Sequence, residues 1–229
     1  SIEVVQLGDQ TLNTVLAGDY GEATEIVFSP YKDRIAGAMV DSKVVIWSIS
    51  GGEAITELPH PTAVTTLGFC CDGQHIASGD GDGNIRVWHV DDFSHPVLEL
   101  GGHRWSIGKI AFSPDGKYIA SASSAWPGMT TAEYEARHTL QPYFTLRVWD
   151  TETSQEVRVI RDLQGPLDSL AFSGDSKDIF VKYRFSPMMV WNIASGEPVQ
   201  KNVPIPTDDY RDVAFANGAQ SVAVALTDR

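Results

Sequence analysis

Two aromatic landmarks recur in fixed phase along the chain. A Phe ends a short apolar stretch five times, at Phe28, Phe69, Phe112, Phe172 and Phe215. A Trp ends a second apolar stretch four times, at Trp47, Trp88, Trp149 and Trp191. Three of the four Phe-to-Trp separations are 19 residues (28 to 47, 69 to 88, 172 to 191), and the fourth (112 to 149) is 18 residues longer. Such a period indicates one supersecondary unit copied along the chain.

The interior of each unit predicts β-structure. The separation from each Trp to the next Phe is 22 to 24 residues. Together with the 19-residue separation from Phe to Trp, this gives a unit of about 41 to 43 residues. Short apolar stretches are separated by turn signals such as Ser113-Pro114-Asp115-Gly116, where Pro presets φ and Gly closes the turn. We expect four short antiparallel strands, a to d, in each unit and almost no helix outside one insertion.

The ends of the chain are in phase with the repeat. The first residues match strands c and d, and the last residues match strands a and b. Two arrangements stay open: the two half-units pair to close a five-unit ring, or the chain is a segment of a larger ring. Ser1, in place of an initiator Met, favours the segment. The expected divisions are a half-unit at 1–20, units at about 21–59, 60–102, 103–163 and 164–206, and a half-unit at 207–229.

Charge and cysteine usage narrow the choice of partner and compartment. The net charge is −13, and an acidic surface repels phosphate backbones, so we expect no nucleic-acid partner. No apolar run approaches the roughly 18 residues that a membrane span needs, so we expect no membrane. The two cysteines are adjacent, at Cys70 and Cys71, where a disulfide would be strained. This favours a reducing compartment, the cytoplasm or the nucleus.

These phrases resemble WD40 repeats, and the resemblance covers essentially the whole chain. The unit at about 60–102 is the best match, with His60, Ser78, Asp82 and Trp88 in their expected places. The resemblance implies an all-β propeller of four-stranded antiparallel blades, about five blade units in this chain. It also implies that these four residues form a buried hydrogen-bonded tetrad, which stiffens a blade when every member is satisfied.

The other blades keep only part of this tetrad. The first complete blade has Gly37 in place of the Ser, and the fourth has Phe185 at the Asp position. The third keeps His103, Ser121 and Trp149, but an insertion displaces its Asp. We therefore expect stability to depend mainly on apolar packing between blades.

The insertion, at 122–144, lies in the b–c turn of the third complete blade. Loops of this length inside compact folds are usually functional or disordered. Trp126, Tyr134 and Tyr143 make it too apolar for a plain solvated loop. Two interpretations stay open: these side chains fold back on the ring, or they anchor a partner.

A second set of aromatic and basic residues lies on the same rim, which the d–a and b–c loops form. Arg104 and Trp105 occupy the d–a connection before the third blade, and Tyr210 and Arg211 occupy the equivalent connection in the last blade. Aromatic and Arg side chains dominate binding hot spots, so we predict a partner-binding rim. The competing interpretation is ordinary exposed loop chemistry.

Motifs for chemistry are weak. His60, Ser78 and Asp82 look like a hydrolase triad, but no G-x-S-x-G accompanies them and their order matches a blade support. The segment Asp80-Gly81-Asp82-Gly83-Asn84 resembles the start of a calcium loop without its distal Glu. We assign no catalytic residue, no metal and no cofactor.

The resemblance implies a non-catalytic scaffold or sensor domain that binds proteins or peptides on the rim, within a longer multidomain chain or complex. The alternative is a propeller-type hydrolase with a pocket at the central channel. That alternative requires acids, bases or a metal to converge near the axis.

Overall fold

The computed structural model describes residues 2–5, 13–16, 18, 20–31, 33–123, 144–161, 163, 167–183, 188–199, 210–216 and 221–226. Every regular element within these ranges is a β-strand. No helix in the described residues is long and apolar enough to cross a membrane.

Four four-stranded antiparallel sheets and two hairpins follow one another along the chain. The first hairpin is β1 (Ile2–Val5) and β2 (Asn13–Leu16). Blade 1 consists of β3 (Ala23–Phe28), β4 (Arg34–Met39), β5 (Lys43–Ser48) and β6 (Ala54–Pro59). Blade 2 consists of β7 (Val64–Phe69), β8 (His75–Asp80), β9 (Asn84–His89) and β10 (Leu98–Gly101).

The remaining elements repeat this plan. Blade 3 consists of β11 (Ile107–Phe112), β12 (Tyr118–Ser123), β13 (Leu146–Asp150) and β14 (Glu156–Ile160). Blade 4 consists of β15 (Leu167–Phe172), β16 (Asp178–Tyr183), β17 (Met189–Asn192) and β18 (Pro198–Val199). The second hairpin is β19 (Tyr210–Ala216) and β20 (Ser221–Leu226). The strands of each blade pair in chain order, as strands a to d, so the predicted all-β propeller of four-stranded antiparallel blades is confirmed.

The two hairpins form separate two-stranded sheets. The first pairs Ile2 with Leu16, and the second pairs Phe215 with Val222. Among the described residues no strand pairing joins one hairpin to the other.

The fixed phase of the aromatic landmarks has a structural cause. In each blade the Phe that ends strand a pairs with an Ile in strand b, and that Ile pairs with the Trp in strand c. The rows are Phe28, Ile35 and Trp47; Phe69, Ile76 and Trp88; Phe112, Ile119 and Trp149; Phe172, Ile179 and Trp191. The insertion in blade 3 lies between strands b and c and leaves this row intact.

The hydrophobic core lies between neighbouring blades. The last five residues of strand b are buried in all four blades, whereas strand d is partly exposed. In β4, Ala36 and Ala38 pack against blade 2, while Ile35 and Met39 pack on the side of the first hairpin. This two-residue period is what a sheet buried on both faces requires. Separate clusters fill the spaces between blades 2 and 3 and between blades 3 and 4.

Strand a ties each blade to the next. It contacts strand a of the following blade from β3 through β19, so it is the inner strand. The Thr65 hydroxyl donates to Ile107 O at 2.5 Å, and the Glu25 carboxylate accepts the Leu67 N–H at 2.5 Å. A bulge recurs near the start of every strand a. Such bulges re-aim the strand where it meets a loop, here the d–a connection.

Candidate functional site

The rim loops of blades 2 and 3 are locked together by backbone contacts. The Gly81 N–H of the b–c turn donates to Ala63 O at 2.9 Å, which holds this turn against the d–a connection before blade 2. Gly83 has φ +85° and packs under the next d–a connection. A Cβ there would lie 2.5 Å from His103 O and 2.8 Å from Trp105 O, so only glycine fits.

The d–a connection before blade 3 presents Arg104 and Trp105 at this rim. Arg104 is exposed and Trp105 is half-buried. Their neighbours His103 and Ser106 are both buried, so the pair is anchored on both sides. The connection therefore holds an Arg and a Trp in a set position at the surface.

The other predicted rim residues either lie outside the described residues or belong to a strand. Trp126, Tyr134 and Tyr143 lie outside the described residues. Tyr210 and Arg211 lie in β19 and not in the connection before it, and their side chains are outside what the structure describes.

The base of the insertion is described and lies on the rim. Ser123, the last residue of β12, donates its N–H to Thr145 O at 3.0 Å. Its hydroxyl accepts the Thr145 N–H at 2.9 Å. Strands b and c thus stay paired up to Ser123 and Thr145, and Thr145 Oγ1 lies 3.0 Å from Nδ1 of His103, the residue before Arg104.

In blade 2 the structure brings together two of the four tetrad residues. His60 Nε2 lies 2.8 Å from Ser78 Oγ, and His60 Nδ1 lies 3.0 Å from Leu58 O. A carbonyl only accepts, so Nδ1 donates and Nε2 accepts the Ser78 hydroxyl. Burial lowers the pKa of His60, which favours this neutral form.

Asp82 and Trp88 do not join that pair. The Asp82 side chain is exposed, and the Trp88 indole N–H is buried without a hydrogen-bond partner in the described part of the chain. The buried carboxylate is Asp80, at 1% exposure. It accepts the Asn84 N–H at 2.9 Å and pairs with Arg86 Nη1 at 2.9 Å. The physical reason is that Asp80 ends strand b, where the Arg86 side chain on the adjacent strand reaches it, whereas Asp82 lies in the turn beyond.

The segment Asp80–Asn84, which resembles the start of a calcium loop, is a b–c turn held by the Asp80 carboxylate. Asp80 Oδ1 accepts the backbone N–H groups of Asp82 at 3.0 Å and Asn84 at 2.9 Å, which closes the b–c turn. Among the residues that the structure describes, no three His, Cys, Asp or Glu side chains are grouped so that they could hold a metal ion.

Blade 3 holds the more complete network. Ser121 Oγ lies 2.7 Å from His103 Nε2 and accepts the Trp149 indole N–H at 2.8 Å. His103 Nδ1 lies 3.0 Å from Thr145 Oγ1. Thr145 was not among the residues predicted for this network, because it is not an acid and follows the insertion. Its hydroxyl serves as the acceptor that the displaced Asp was expected to provide.

His103 is held neutral inside this network. Burial, with a smaller effect from the charge of Arg147, lowers its pKa to about 3. Both ring nitrogens have partners within the blade, and the residue begins the connection that carries Arg104 and Trp105. The geometry gives His103 a supporting role, since a satisfied buried network fixes the strands and the rim loop attached to them.

Comparison with known proteins agrees with this architecture. The family model described as "WD domain, G-beta repeat" matches residues 52–89 and 94–125. The first stretch contains β6 to β9 and the second contains β10 to β12. Each matched repeat therefore supplies strand d of one blade and inner strands of the next, so neighbouring blades share a repeat.

Several curated proteins are similar over long stretches. The chain is 22% identical over 223 residues to transcription initiation factor TFIID subunit 5 of Caenorhabditis elegans, covering 97% of this chain and 32% of that protein. It is 23% identical over 207 residues to a guanine nucleotide-binding protein subunit beta of Oryza sativa subsp. japonica, covering 84% and 50%. It is 34% identical over 106 residues to pre-mRNA-processing factor 17 of Homo sapiens, covering 43% and 18%.

The chain thus spans half or less of the length of these relatives. The recurring row of Phe, Ile and Trp, the four antiparallel blades and the matched repeats agree with one another. Residues 52–89 and 94–125 are thus WD40 repeats, and the blades on either side of them follow the same four-stranded plan.

Proposed function

We propose that this chain is a non-catalytic scaffold or sensor domain that binds proteins or peptides on the rim formed by the d–a and b–c loops. The observation that carries this proposal is the Arg104–Trp105 pair on a connection anchored by buried residues on both sides. Trp and Arg are the residue types most enriched in binding hot spots. The blade histidines His60 and His103 bond within their own blades, which supports a structural role for them.

The rigidity of the rim favours binding. A loop that is already ordered loses little conformational entropy when a partner docks, so more of the contact energy appears as affinity. The backbone contacts of Gly81 and Gly83 supply that order here. Two of the relatives are named as subunits, which supports assembly with other proteins.

The partners that we propose are proteins or peptides, with neither nucleic acid nor membrane among them. The net charge of −13 supports this choice, because it disfavours phosphate backbones and anionic headgroups. We place the protein in the cytoplasm or nucleus, where thiols stay reduced, since Cys70 and Cys71 are free. The greater length of the relatives supports a longer chain or complex around this segment.

Quantitative affinity capture tests the rim. The double variant Arg104→Ala/Trp105→Ala is expected to recover its specific protein partners at least about tenfold less well, because truncating a hot spot costs about 2 kcal/mol or more. The pair Trp105→Ala/Trp126→Ala tests whether the insertion belongs to the same surface. Tyr31→Ala is the matched control, since Tyr31 is an aromatic side chain 74% exposed in an a–b turn on the opposite face.

Two results would count against the rim. Equal recovery of the same partners by wild type and both double variants would remove it as the binding surface. A loss seen with Tyr31→Ala and not with the rim variants would assign binding to the other face.

A further inference from the structure

A cavity of about 350 Å³ opens between blades 2 and 3 on the face opposite the rim, where the a–b and c–d turns lie. Its apolar wall includes Val87, Leu98 and Phe112. Polar groups lie at Asp72 and His75 of blade 2 and at Thr151 and Glu152 of blade 3. Burial raises the pKa of the Cys70 thiol in the lining to about 12, so it contributes no charge.

At the boundary between blades 1 and 2, an arginine of the chain itself bridges the two blades. Arg34, the first residue of β4, donates to the Val90 carbonyl in the c–d turn of blade 2. It also pairs with the Asp91 carboxylate at 3.1 Å. The Arg34 guanidinium therefore binds one carbonyl and one carboxylate of the neighbouring c–d turn.

The boundary between blades 3 and 4 is bridged in the same way from a different strand. Arg158 of β14 donates its Nε–H to Ile193 O at 2.9 Å and another N–H to Ala194 O. Its stem lies against Gly196, whose Cβ position is 2.9 Å from Arg158 Cδ. Here too the guanidinium binds the c–d turn of the following blade.

The acceptors at these boundaries are equivalent positions. Val90, Thr151 and Ile193 each follow the strand c Trp by two residues. Each donates its backbone N–H to the carbonyl oxygen of the residue that precedes strand b of its own blade, at N···O distances of 2.8, 3.0 and 2.9 Å respectively. Thr151 and Glu152 in blade 3 thus correspond to Val90 and Asp91 in blade 2. In each pair the first residue offers a backbone carbonyl and the second a side-chain carboxylate.

Blade 2 supplies no arginine to that pair. The first residue of its strand b, where blade 1 has Arg34, is His75. In blade 3, Arg158 of strand d pairs with Val148, the residue before the strand c Trp. The equivalent residue in blade 2 is Leu98, which pairs with Val87. The cavity between blades 2 and 3 therefore occupies the position that the Arg34 and Arg158 guanidinium groups fill at the two neighbouring boundaries.

We propose that this cavity receives an arginine side chain from a protein partner, which rests on the proposed function as a protein-binding scaffold. The guanidinium binds the Thr151 carbonyl and the Glu152 carboxylate, and the stem lies on Val87 and Leu98. Arginine fits better than lysine because its planar fork binds two acceptors at once, as both flanking arginines do.

A second carboxylate increases the negative charge at the site. Burial acts to raise the pKa of Asp72, but hydrogen bonds from the Gln74 N–H and the His75 ring outweigh it and leave the pKa below its ordinary value. Asp72 therefore stays ionised at neutral pH. The overall charge of −13 also favours a basic partner.

The test is a titration of the 229-residue chain by amide NMR with three blocked tripeptides, Gly-Arg-Gly, Gly-Lys-Gly and Gly-citrulline-Gly. The arginine peptide is expected to give saturable shifts at Gly116, Thr151 and Glu152. We expect it to bind at least about fivefold more tightly than the lysine peptide, and the neutral citrulline peptide to give no saturable shift. Equal binding of all three, or no saturable shift with arginine, would overturn the proposal.

Two variants sharpen the result. Glu152→Gln is expected to weaken the arginine peptide about tenfold, because it removes a charge-assisted hydrogen bond. Glu197→Gln, a matched charge change in the exposed c–d turn of blade 4, is expected to change nothing. Leu98→Arg is expected to abolish peptide binding and to raise Tm, since the chain then fills the cavity as Arg158 does. If Leu98→Arg perturbs the fold, Glu152→Gln decides, and unchanged affinity in it would overturn the site.

Failure here is distinguishable from failure of the scaffold function. The titration uses the cavity face and a defined peptide, whereas affinity capture uses the rim variants. If the rim variants lose partner capture but the arginine peptide does not bind, the scaffold function is supported and the arginine site is ruled out.

Discussion

Replacing Ser121 with Ala is expected to lower the free energy of unfolding by about 3 kcal/mol. Ser121 Oγ is the atom that joins His103 Nε2 to the Trp149 indole N–H. Its removal leaves two buried polar groups unpaired, each at a cost of about 1–3 kcal/mol. Urea denaturation at pH 7, followed by tryptophan fluorescence and circular dichroism, measures the loss.

Ser78→Ala in blade 2 is the matched control. There the Trp88 indole N–H is not bonded to the serine, so the change removes only the His60 contact and a longer contact with Arg86 O at 3.3 Å. We expect a loss of about 1–1.5 kcal/mol. Equal losses in the two variants would contradict the idea that the blade 3 network is the more complete one.

Acidification from pH 7 to pH 4.5 is expected to cost about 2–3 kcal/mol through His103 alone. Its pKa in the folded state is about 3, below the ordinary value of 6.5. Between these values the unfolded chain binds a proton that the folded chain does not. The contribution is therefore complete above pH 6.5 and is lost as the pH falls from there toward about 3.

The comparison of wild type with His103→Gln isolates this contribution. The variant is expected to be less stable at pH 7 but to lose about 2–3 kcal/mol less on acidification. His60 contributes with the same sign in both proteins, because burial lowers its pKa as well. Carboxylates with lowered pKa values, such as Asp72 and Asp115, lose their contribution below about pH 4, so the assay stops at pH 4.5. Parallel stability curves for the two proteins would contradict the buried neutral histidine.

The two proposed binding surfaces lie at opposite ends of the strands. The rim consists of b–c turns and d–a connections, and the cavity lies among a–b and c–d turns. Antiparallel strands place these loop sets on opposite faces of a blade. A propeller of this kind can therefore contact two partners without either displacing the other.

Within the blades, much of the structure was predictable. The Phe, Ile and Trp of each row lie close together in the sequence, and their register follows from short turns and a two-residue alternation. The insertion at 122–144 was predicted because one Phe-to-Trp separation is longer than the other three, and most of this segment lies outside the described residues. The match of the His60–Ser78 pair followed from the same local register.

The side chains that complete each network were harder to predict. Asp80 and Asp82 are two residues apart in one segment, and only the reach of Arg86 across the strand makes Asp80 the buried partner. Thr145 became an acceptor because strands b and c re-pair after the insertion. Neither outcome has a signal in residue type alone.

Strand order, blade register and the repeat that generates them follow from the residue pattern alone, because they depend on hydrogen bonds and turns between neighbours in the chain. Which boundary between blades is bridged by an arginine, and which is left open, depends instead on how the folded blades pack on one another. Arg34 and Arg158 meet their acceptors across blades, tens of residues apart, whereas Leu98 lines the cavity at the boundary between them. The packing of one sheet on the next sets which of these groups come into contact.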